Sequence, residues 1–205
     1  GGEGIPVIKV PLAKGPQARS ARRVIGVLRP LAEAHDEVGD REEAGKLLRE
    51  AQALLADDPA PTTGLAGALE RNLAKHALAR GEPREALRFA QGALARYEAA
   101  QSPHEILLAS LLVAEAHNEL GEFALAERAA QRALTIDSER LGDLRSYNGG
   151  QAHMELGIAQ AGGGQLSSAR RELQQAVSDL RSSVGENGPA TLRAVAALAR
   201  LDGAR

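Results

Sequence analysis

The sequence predicts an all-α protein, built as a solenoid of four to five stacked helical hairpins. The first observation is a recurring pattern, in which a glycine is followed five positions later by an alanine and seven positions further by another alanine. The second is composition: 40 of the 205 residues are alanine, the strongest helix former. The third is that only four residues are aromatic, so the core has to come from small side chains between closely approaching helices.

Four copies of this pattern divide the chain into units, and their glycines lie 42, 40 and 43 residues apart. A glycine readily takes the left-handed conformation that ends a helix, and a second amphipathic stretch begins within three residues of each one. Each unit is therefore expected to be two antiparallel helices joined by a tight turn, with the alanines where the partner helix comes nearest. The four sets are Gly39, Ala44 and Ala51; Gly81, Ala86 and Ala93; Gly121, Ala126 and Ala133; and Gly164, Ala169 and Ala176.

The elements follow from this register in chain order. Residues 1–17 hold three prolines and are expected to form an extended N-terminal arm, ahead of a repeat domain over 18–205. Helical pairs are predicted near 20–56, 62–99, 103–140 and 149–183, giving repeats at about 25–58, 67–100, 107–140 and 150–183. A last helix over 189–202 is expected to cap the open end of the stack.

Single residues modify the expectation in two units. Pro30 lies inside the first predicted helix, where it removes a hydrogen bond and should kink or restart the helix. Glu70 stands where unit two would carry a bulky residue early in its first helix. In unit three, apolar or small residues follow Phe123 at a spacing that lines one helix face, which predicts an amphipathic second helix.

The segment from Ile5 to Leu12 is a separate feature. It is too apolar for a simple flexible linker and too rich in proline for a central strand. We expect it to dock on the protein's own helices or in the groove of a neighbouring molecule.

Charge and composition exclude several classes of function. The net charge is −2, so no nucleic-acid partner is expected, and no apolar run is long enough for membrane insertion. Residues 1–30 carry +5, which fits either a basic arm or a solvated linker or first helix. The lack of cysteine removes disulfides and thiolate sites. The first residue is Gly1 and the only methionine is Met154, which suggests a piece of a longer protein. The chain has 21 arginines against four lysines, which suggests a bacterial source. A cytoplasmic location is expected.

A search for chemistry yields no catalytic residue, no cofactor site and no metal site. His35 and His117 share one repeat position and are interpreted as packing residues; His153 is expected to face the neighbouring unit, and His76 and His104 to lie on the surface or in a linker. His104-Glu105 lacks the second histidine of a zinc-protease helix, and no serine stands in a nucleophile elbow. The chain is therefore not expected to be an enzyme.

The repeat itself resembles a known family. Two segments are similar to the tetratricopeptide repeat (TPR). One runs from Leu120-Gly121 through Ala126 to Arg132-Ala133-Leu134, and the other is Leu156-Gly157 followed by Gly164. The period near 42 resembles the long variety found in kinesin light chains and many bacterial signalling proteins, and the resemblance covers about 25–202. Gly188 stands where the linker of that variety usually has histidine. The resemblance implies a right-handed α-solenoid whose first helices line a concave, peptide-binding wall.

Counting from the glycine turns assigns residues of the first helices to this wall. Its charge is expected to be acidic in units one and three and basic in unit two, with an apolar patch in unit three, which favours a partner segment with an apolar anchor and basic residues. Glu33 and Glu115 occupy positions where a chaperone-tail clamp needs asparagine, which argues against that subclass. The predicted partner-binding residues are Arg29, Glu33, Glu37, Arg71, Lys75, Leu108, Leu111, Glu115, Asn118, Glu119, Gln151 and Glu155, with Asp36, Leu78 and Ala159 beside them.

Two functions follow from the repeat. The favoured one is a non-catalytic protein–protein interaction module, acting as a scaffold or sensor within a larger bacterial protein. The alternative is a regulatory domain that senses a small ligand or signalling peptide and controls an attached kinase or transcription regulator.

Overall fold

A computed structural model describes residues 16–58, 62–141 and 146–203, which form nine α-helices joined by turns and contain no strand. The helices are α1 Pro16–Glu37, α2 Arg41–Ala56, α3 Thr63–Ala79, α4 Pro83–Ala99, α5 Pro103–Glu119, α6 Phe123–Leu141, α7 Tyr147–Gly162, α8 Leu166–Val184 and α9 Pro189–Gly203. Helix α1 begins two residues inside the predicted arm and continues through Pro30 without restarting. The predicted docking segment from Ile5 to Leu12 lies outside the described residues.

The four repeat glycines all adopt the left-handed conformation at the turn between the two helices of a hairpin. Their φ angles are +87° at Gly39, +72° at Gly81, +73° at Gly121 and +79° at Gly164. At each turn the next residue's N–H donates to a carbonyl five positions earlier, as Glu122 does to His117 at 2.9 Å. This bond satisfies carbonyl groups that the end of a helix leaves unpaired, and it turns the chain back on itself.

The helices of each hairpin meet through small side chains. All eight alanines of the repeat pattern are completely buried. Contact is closest between α7 and α8, where a Cβ added to Gly157 would lie only 2.7 Å from Cγ of Leu173. This close approach explains how a chain with four aromatic residues forms a dense interior.

The start of α3 lacks a bulky residue, and a side chain from the other helix of unit two takes its place. Tyr97 of α4 is buried against Gly67, where an added Cβ would lie 2.9 Å from its ring. Glu70 takes part in a different contact and accepts a hydrogen bond from Nε of Arg96 at 2.8 Å. The aromatic ring thus comes from the second helix of the hairpin, so the first helix can carry small and polar residues.

The hairpins stack so that successive first helices lie side by side. Helices α1, α3, α5 and α7 each pack against the next, and the second helices join neighbouring units. Helix α9 follows the last hairpin, where Ala194 and Leu201 join a core with Met154, Leu173 and Leu180. The first helices therefore form one continuous wall, which α9 extends at its end.

Candidate functional site

The wall of first helices encloses a hollow of about 420 Å³. Its apolar surface comes from Leu78, Leu108, Leu111 and Leu112, and its charged groups lie on either side of these leucines. The remaining lining residues are Glu33, Asp36, Glu37, Leu48, Arg71, Asn72, Lys75, Ala79, Glu115, Tyr147, Asn148, Gln151, Glu155 and Arg193. A single hollow therefore draws its lining from five successive first helices, counting α9, with one leucine from α2.

Nine of the twelve residues assigned to the wall from sequence line the hollow: Glu33, Glu37, Arg71, Lys75, Leu108, Leu111, Glu115, Gln151 and Glu155. Arg29 and Asn118 instead lie behind it and hydrogen-bond to Asn72 and Glu155, which do line it. Glu119 is not a lining residue, although its charge interacts with those of Glu115 and Arg193. Ala159, which we also placed on the wall, is buried in the core.

Sequence reasoning missed seven lining residues, of which the last matters most: Leu48, Asn72, Ala79, Leu112, Tyr147, Asn148 and Arg193. Arg193 lies 42 residues after Gln151, the same separation that relates Leu198 to Leu156 in the repeat register. Extending the wall assignment by one further unit into α9 would have found it. The cap had been interpreted only as a cover for the end of the stack.

One end of the hollow, formed by α1 and α3, holds charges of both signs that bond to one another. Nε of Arg29 donates to Oδ1 of Asn72 at 2.9 Å, and Nδ2 of Asn72 donates to Glu33 at 3.3 Å. Lys75 forms an ion pair with the same glutamate. Burial would raise the pKa of Glu33, but the hydrogen bond and charge of Lys75, together with Arg71 and Asn72, outweigh it and the pKa is lowered. Burial and the nearby charge of Arg71 lower the pKa of Arg29, as expected where two guanidinium groups crowd together.

The other end is acidic and centres on Glu155. This side chain is only 3% exposed, and burial together with the charge of Glu115 raises its pKa to about 8. Nη2 of Arg193 lies 2.6 Å from Oε1 of Glu115 and 3.6 Å from Oε1 of Glu155. Burial and the charge of Glu115 also raise the pKa of Glu119. We call the residues Glu115, Glu119 and Glu155 the acidic cluster.

The histidines lie outside the hollow, and two of the sequence interpretations are wrong. His76 is not a surface residue: it is buried between repeats, with Nδ1 2.9 Å from Oδ1 of Asp36. His153 faces its own hairpin, since its Nδ1 lies 2.7 Å from Glu172 of α8. His117 is buried and reaches Glu122 across its turn at 2.6 Å, in agreement with a packing role. These contacts connect helices to one another.

The hollow offers apolar and charged groups for non-covalent recognition. Within the described ranges, no three histidine, aspartate or glutamate side chains are placed to hold a metal ion. A flexible ligand could place an apolar group on the leucines and its charges against the two ends. Of the helices that the structure describes, none is both long and apolar enough to span a bilayer.

No family model and no curated protein sequence matches the chain. Solved structures do resemble it. A protein of Podosopora anserina, described as a kinesin light chain with nearly identical TPR-like repeats, superposes with a TM-score of 0.69 at 22% identity, over 90% of this chain and 89% of that one. BtubC (BKLC) from P. vanneervenii gives 0.66 at 19% identity, over 92% and 82% of the two chains.

A signal transduction ATPase of Pyrococcus horikoshii with a tetratricopeptide repeat sensor gives a TM-score of 0.68 at 17% identity. The similarity covers 88% of this chain but only 27% of that larger protein. The helical hairpins, their left-handed glycine turns and these three likenesses agree, and the chain has the fold of the tetratricopeptide-like repeat solenoids.

Proposed function

We propose that this chain is a non-catalytic interaction module that binds a segment of a partner protein in the hollow between its first helices. In this role it would act as a cytoplasmic scaffold or sensor within a larger bacterial protein. The observation that carries the proposal is the combination in one cavity of an apolar leucine surface with an end of mixed charge and an acidic end. Interfaces of this kind gain affinity from a buried apolar anchor, and charges around it select the partner.

The chemistry of the partner follows from this lining. An apolar side chain of the partner would cover Leu108 and Leu111, while its basic residues would face the acidic cluster. The lining contains five carboxylates against three cationic side chains, which favours a cationic segment over an anionic one. The fold supports a role in binding because stacked hairpins expose an extended concave surface.

Site-specific photo-crosslinking tests this proposal. A photoreactive amino acid at Gln151, which lines the hollow, should capture a partner from cell extract, and the same amino acid at the exposed Gln131 of α6 should not. Mass spectrometry of the adduct then gives the captured segment, which we expect to contain basic residues next to an apolar one. Equal capture from both positions, or a strongly acidic segment, would contradict the proposal.

The sensor alternative has its own support. A cavity near 420 Å³ falls within the range of small-ligand sites, and the Pyrococcus horikoshii protein uses its tetratricopeptide repeat as a sensor. In that case the low-molecular-weight fraction of the extract should raise the melting temperature of the purified chain. The macromolecular fraction should raise it instead if the partner is a protein, so one thermal-shift series separates the two functions.

A further inference from the structure

Helix α9 inserts a cationic side chain into the acidic end of the hollow. Nη2 of Arg193 lies 2.6 Å from Oε1 of Glu115, a residue 78 positions earlier in the chain. Its position is fixed by the packing of the adjoining face of α9, through Ala190, Ala194 and Ala197, on the last hairpin. The arginine therefore reaches the hollow from a helix whose core contacts do not depend on it.

One cation does not balance this end of the hollow. The three carboxylates of the acidic cluster face a single guanidinium group, that of Arg193, among the side chains that influence Glu155. The 3.6 Å between Nη2 of Arg193 and Oε1 of Glu155 is within ion-pair range but beyond hydrogen-bond distance. The carboxyl group of Glu155 thus lines the hollow with one oxygen that Arg193 does not fully engage. It holds a proton at neutral pH, and a second guanidinium group beside it would favour its ionised form.

One of the receiving groups is held in place. Nδ2 of Asn118 donates to both Oε2 and the main-chain carbonyl of Glu155, each at 2.9 Å, which fixes the carboxyl group relative to α5. Glu115 lies one helical turn before Asn118 on the same face. Two carboxyl groups on neighbouring helices suit a planar group with several donors, and guanidinium is the protein side chain of that kind.

The guanidinium group of Arg193 is open to competition. Its side chain is 51% exposed, so a guanidinium group from solution can reach the same carboxyl groups. A ligand that also gains apolar contact on the leucines would displace Arg193 more readily.

From these observations the geometry points to a guanidinium pocket formed by Glu115 and Glu155, which takes an arginine side chain of the partner and which Arg193 fills in the partner's absence. This inference rests on the proposed function, and it adds a way in which binding in the hollow is regulated. Helix α9 acts as a built-in competitor that lowers the affinity of the hollow for arginine-bearing segments. Any movement of α9 away from α7 would raise that affinity.

A minimal probe tests the pocket without a known partner. N-acetyl-arginine N-methylamide is titrated into the isotopically labelled protein, and the NMR signals of the Asn118 side-chain amide and the Arg193 Nε–H group are followed. The uncharged isostere N-acetyl-citrulline N-methylamide and the lysine analogue serve as controls. We expect the arginine probe alone to shift the Asn118 signals and to release the Arg193 signal toward its solvent-exposed position.

Variants on α9 test the competition. Arg193→Gln should bind the arginine probe about three- to tenfold more tightly than the wild type, because the competing state is removed. Arg200→Gln, a change of the same type on an exposed position of α9, should bind as the wild type does. Arg193→Lys retains a charge at the site and should give an intermediate affinity. Circular dichroism melting establishes that each variant is folded before titration.

Three outcomes would overturn the inference. The first is equal binding of the arginine and citrulline probes, the second is equal binding of the arginine and lysine probes, and the third is no gain in affinity for folded Arg193→Gln. If Arg193→Gln does not fold, the wild-type titration tests the competition instead. Release of the Arg193 signal by the arginine probe then supports the inference, and an unchanged Arg193 signal overturns it. Each of these results leaves the photo-crosslinking experiment unaffected, so failure of this pocket and failure of the hollow as an interaction site are distinguishable.

Discussion

The side-chain amide of Asn118 donates two hydrogen bonds of 2.9 Å to Glu155, one to the carboxylate and one to the main-chain carbonyl. The two residues belong to different repeats, so this contact joins the first helices of units three and four at the level of the hollow. Because Glu155 is buried, its polar atoms depend on such partners. The same contact thus supports both the stack and the acidic end of the site.

Replacement of Asn118 by alanine should therefore destabilise the protein. Loss of a donor to a buried acceptor costs about 1 to 3 kcal/mol, and we expect a reduction of that size in the free energy of unfolding measured with urea. Gln131→Ala removes a similar amide from an exposed position on α6 and should change the value little. An Asn118→Ala protein as stable as the Gln131→Ala control would show that the contact contributes nothing.

The raised pKa of Glu155 predicts a pH dependence of stability. Its pKa rises from an ordinary 4.5 to about 8 because of burial and the charges of Glu115 and Glu119, against the opposing effects of Asn118 and Arg193. Between these two values the folded protein holds a proton that the unfolded chain has released. This contribution to stability is therefore complete below about pH 4.5, and it is lost as the pH rises toward about 8.

Substitution of Glu155 by glutamine should abolish this contribution to the pH profile. Melting temperatures of the wild type and Glu155→Gln are compared across that range, with Glu139→Gln as the control for a carboxyl-to-amide change at an exposed position. The variant should gain stability relative to the wild type as the pH rises. Parallel profiles for the wild type and Glu155→Gln would mean that Glu155 does not titrate in this range.

Two helical glycines should respond in opposite directions to replacement by alanine. A Cβ at Gly157 would lie 2.7 Å from Leu173 and 3.1 Å from the carbonyl oxygen of Ala169, so overpacking should cost about 1 to 3 kcal/mol. A Cβ at Gly26 in α1 would meet nothing within 4 Å, and the better helix propensity of alanine should add about 0.5 to 1 kcal/mol. Urea unfolding of the two variants measures both effects. A neutral Gly157→Ala would show that α7 and α8 can separate without cost.

Charge reversal in the acidic cluster should weaken the binding of a partner segment. The double variant Glu115→Lys/Glu119→Lys is expected to lower affinity by up to about 3 kcal/mol, mainly through slower association, and the loss should shrink as salt is added. Glu50→Lys/Glu139→Lys makes the same change in net charge at exposed positions of second helices. Unchanged affinity in the first variant, or an equal loss in both, would show that the cluster does not contact the partner. Surface plasmon resonance over a range of salt concentrations provides the measurement.

Much of the fold was predictable because its signals are local. Glycines at a fixed register mark the turns, and prolines at Pro83, Pro103 and Pro189 each begin a helix, where a missing N–H costs nothing. The wall could be assigned because residues at equal distances from a turn share one helix face, and nine of the twelve assigned side chains line the hollow. Of the two effects predicted for Pro30, a restart of the helix is wrong: α1 continues through it, since its buried face on either side, at Ile25 and Ala32, holds the helix in place.

Contacts across the stack could not be read from the sequence in this way. His76 and Ala159 are buried because of the neighbouring helices, whereas their own helices give no signal that distinguishes them from surface positions. Arg193 contacts Glu115 although the two residues are 78 positions apart in the chain. Whether they meet depends on how far each hairpin rotates relative to the one before it. The side chains that act on the pKa of Glu155 likewise come from other helices, Glu115 and Asn118 from α5 and Arg193 from α9.

The amino-acid sequence by itself thus determined where the helices begin and end, how they pair and which face of each pair turns inward. These properties depend on backbone preferences and on periodicity within about forty residues. Only the tertiary structure decided that the inward faces enclose a single hollow with two charged ends, and that α9 places an arginine in one of them. The physical reason is that electrostatic and burial energies depend on distances between atoms of different repeats, which the stacking geometry sets.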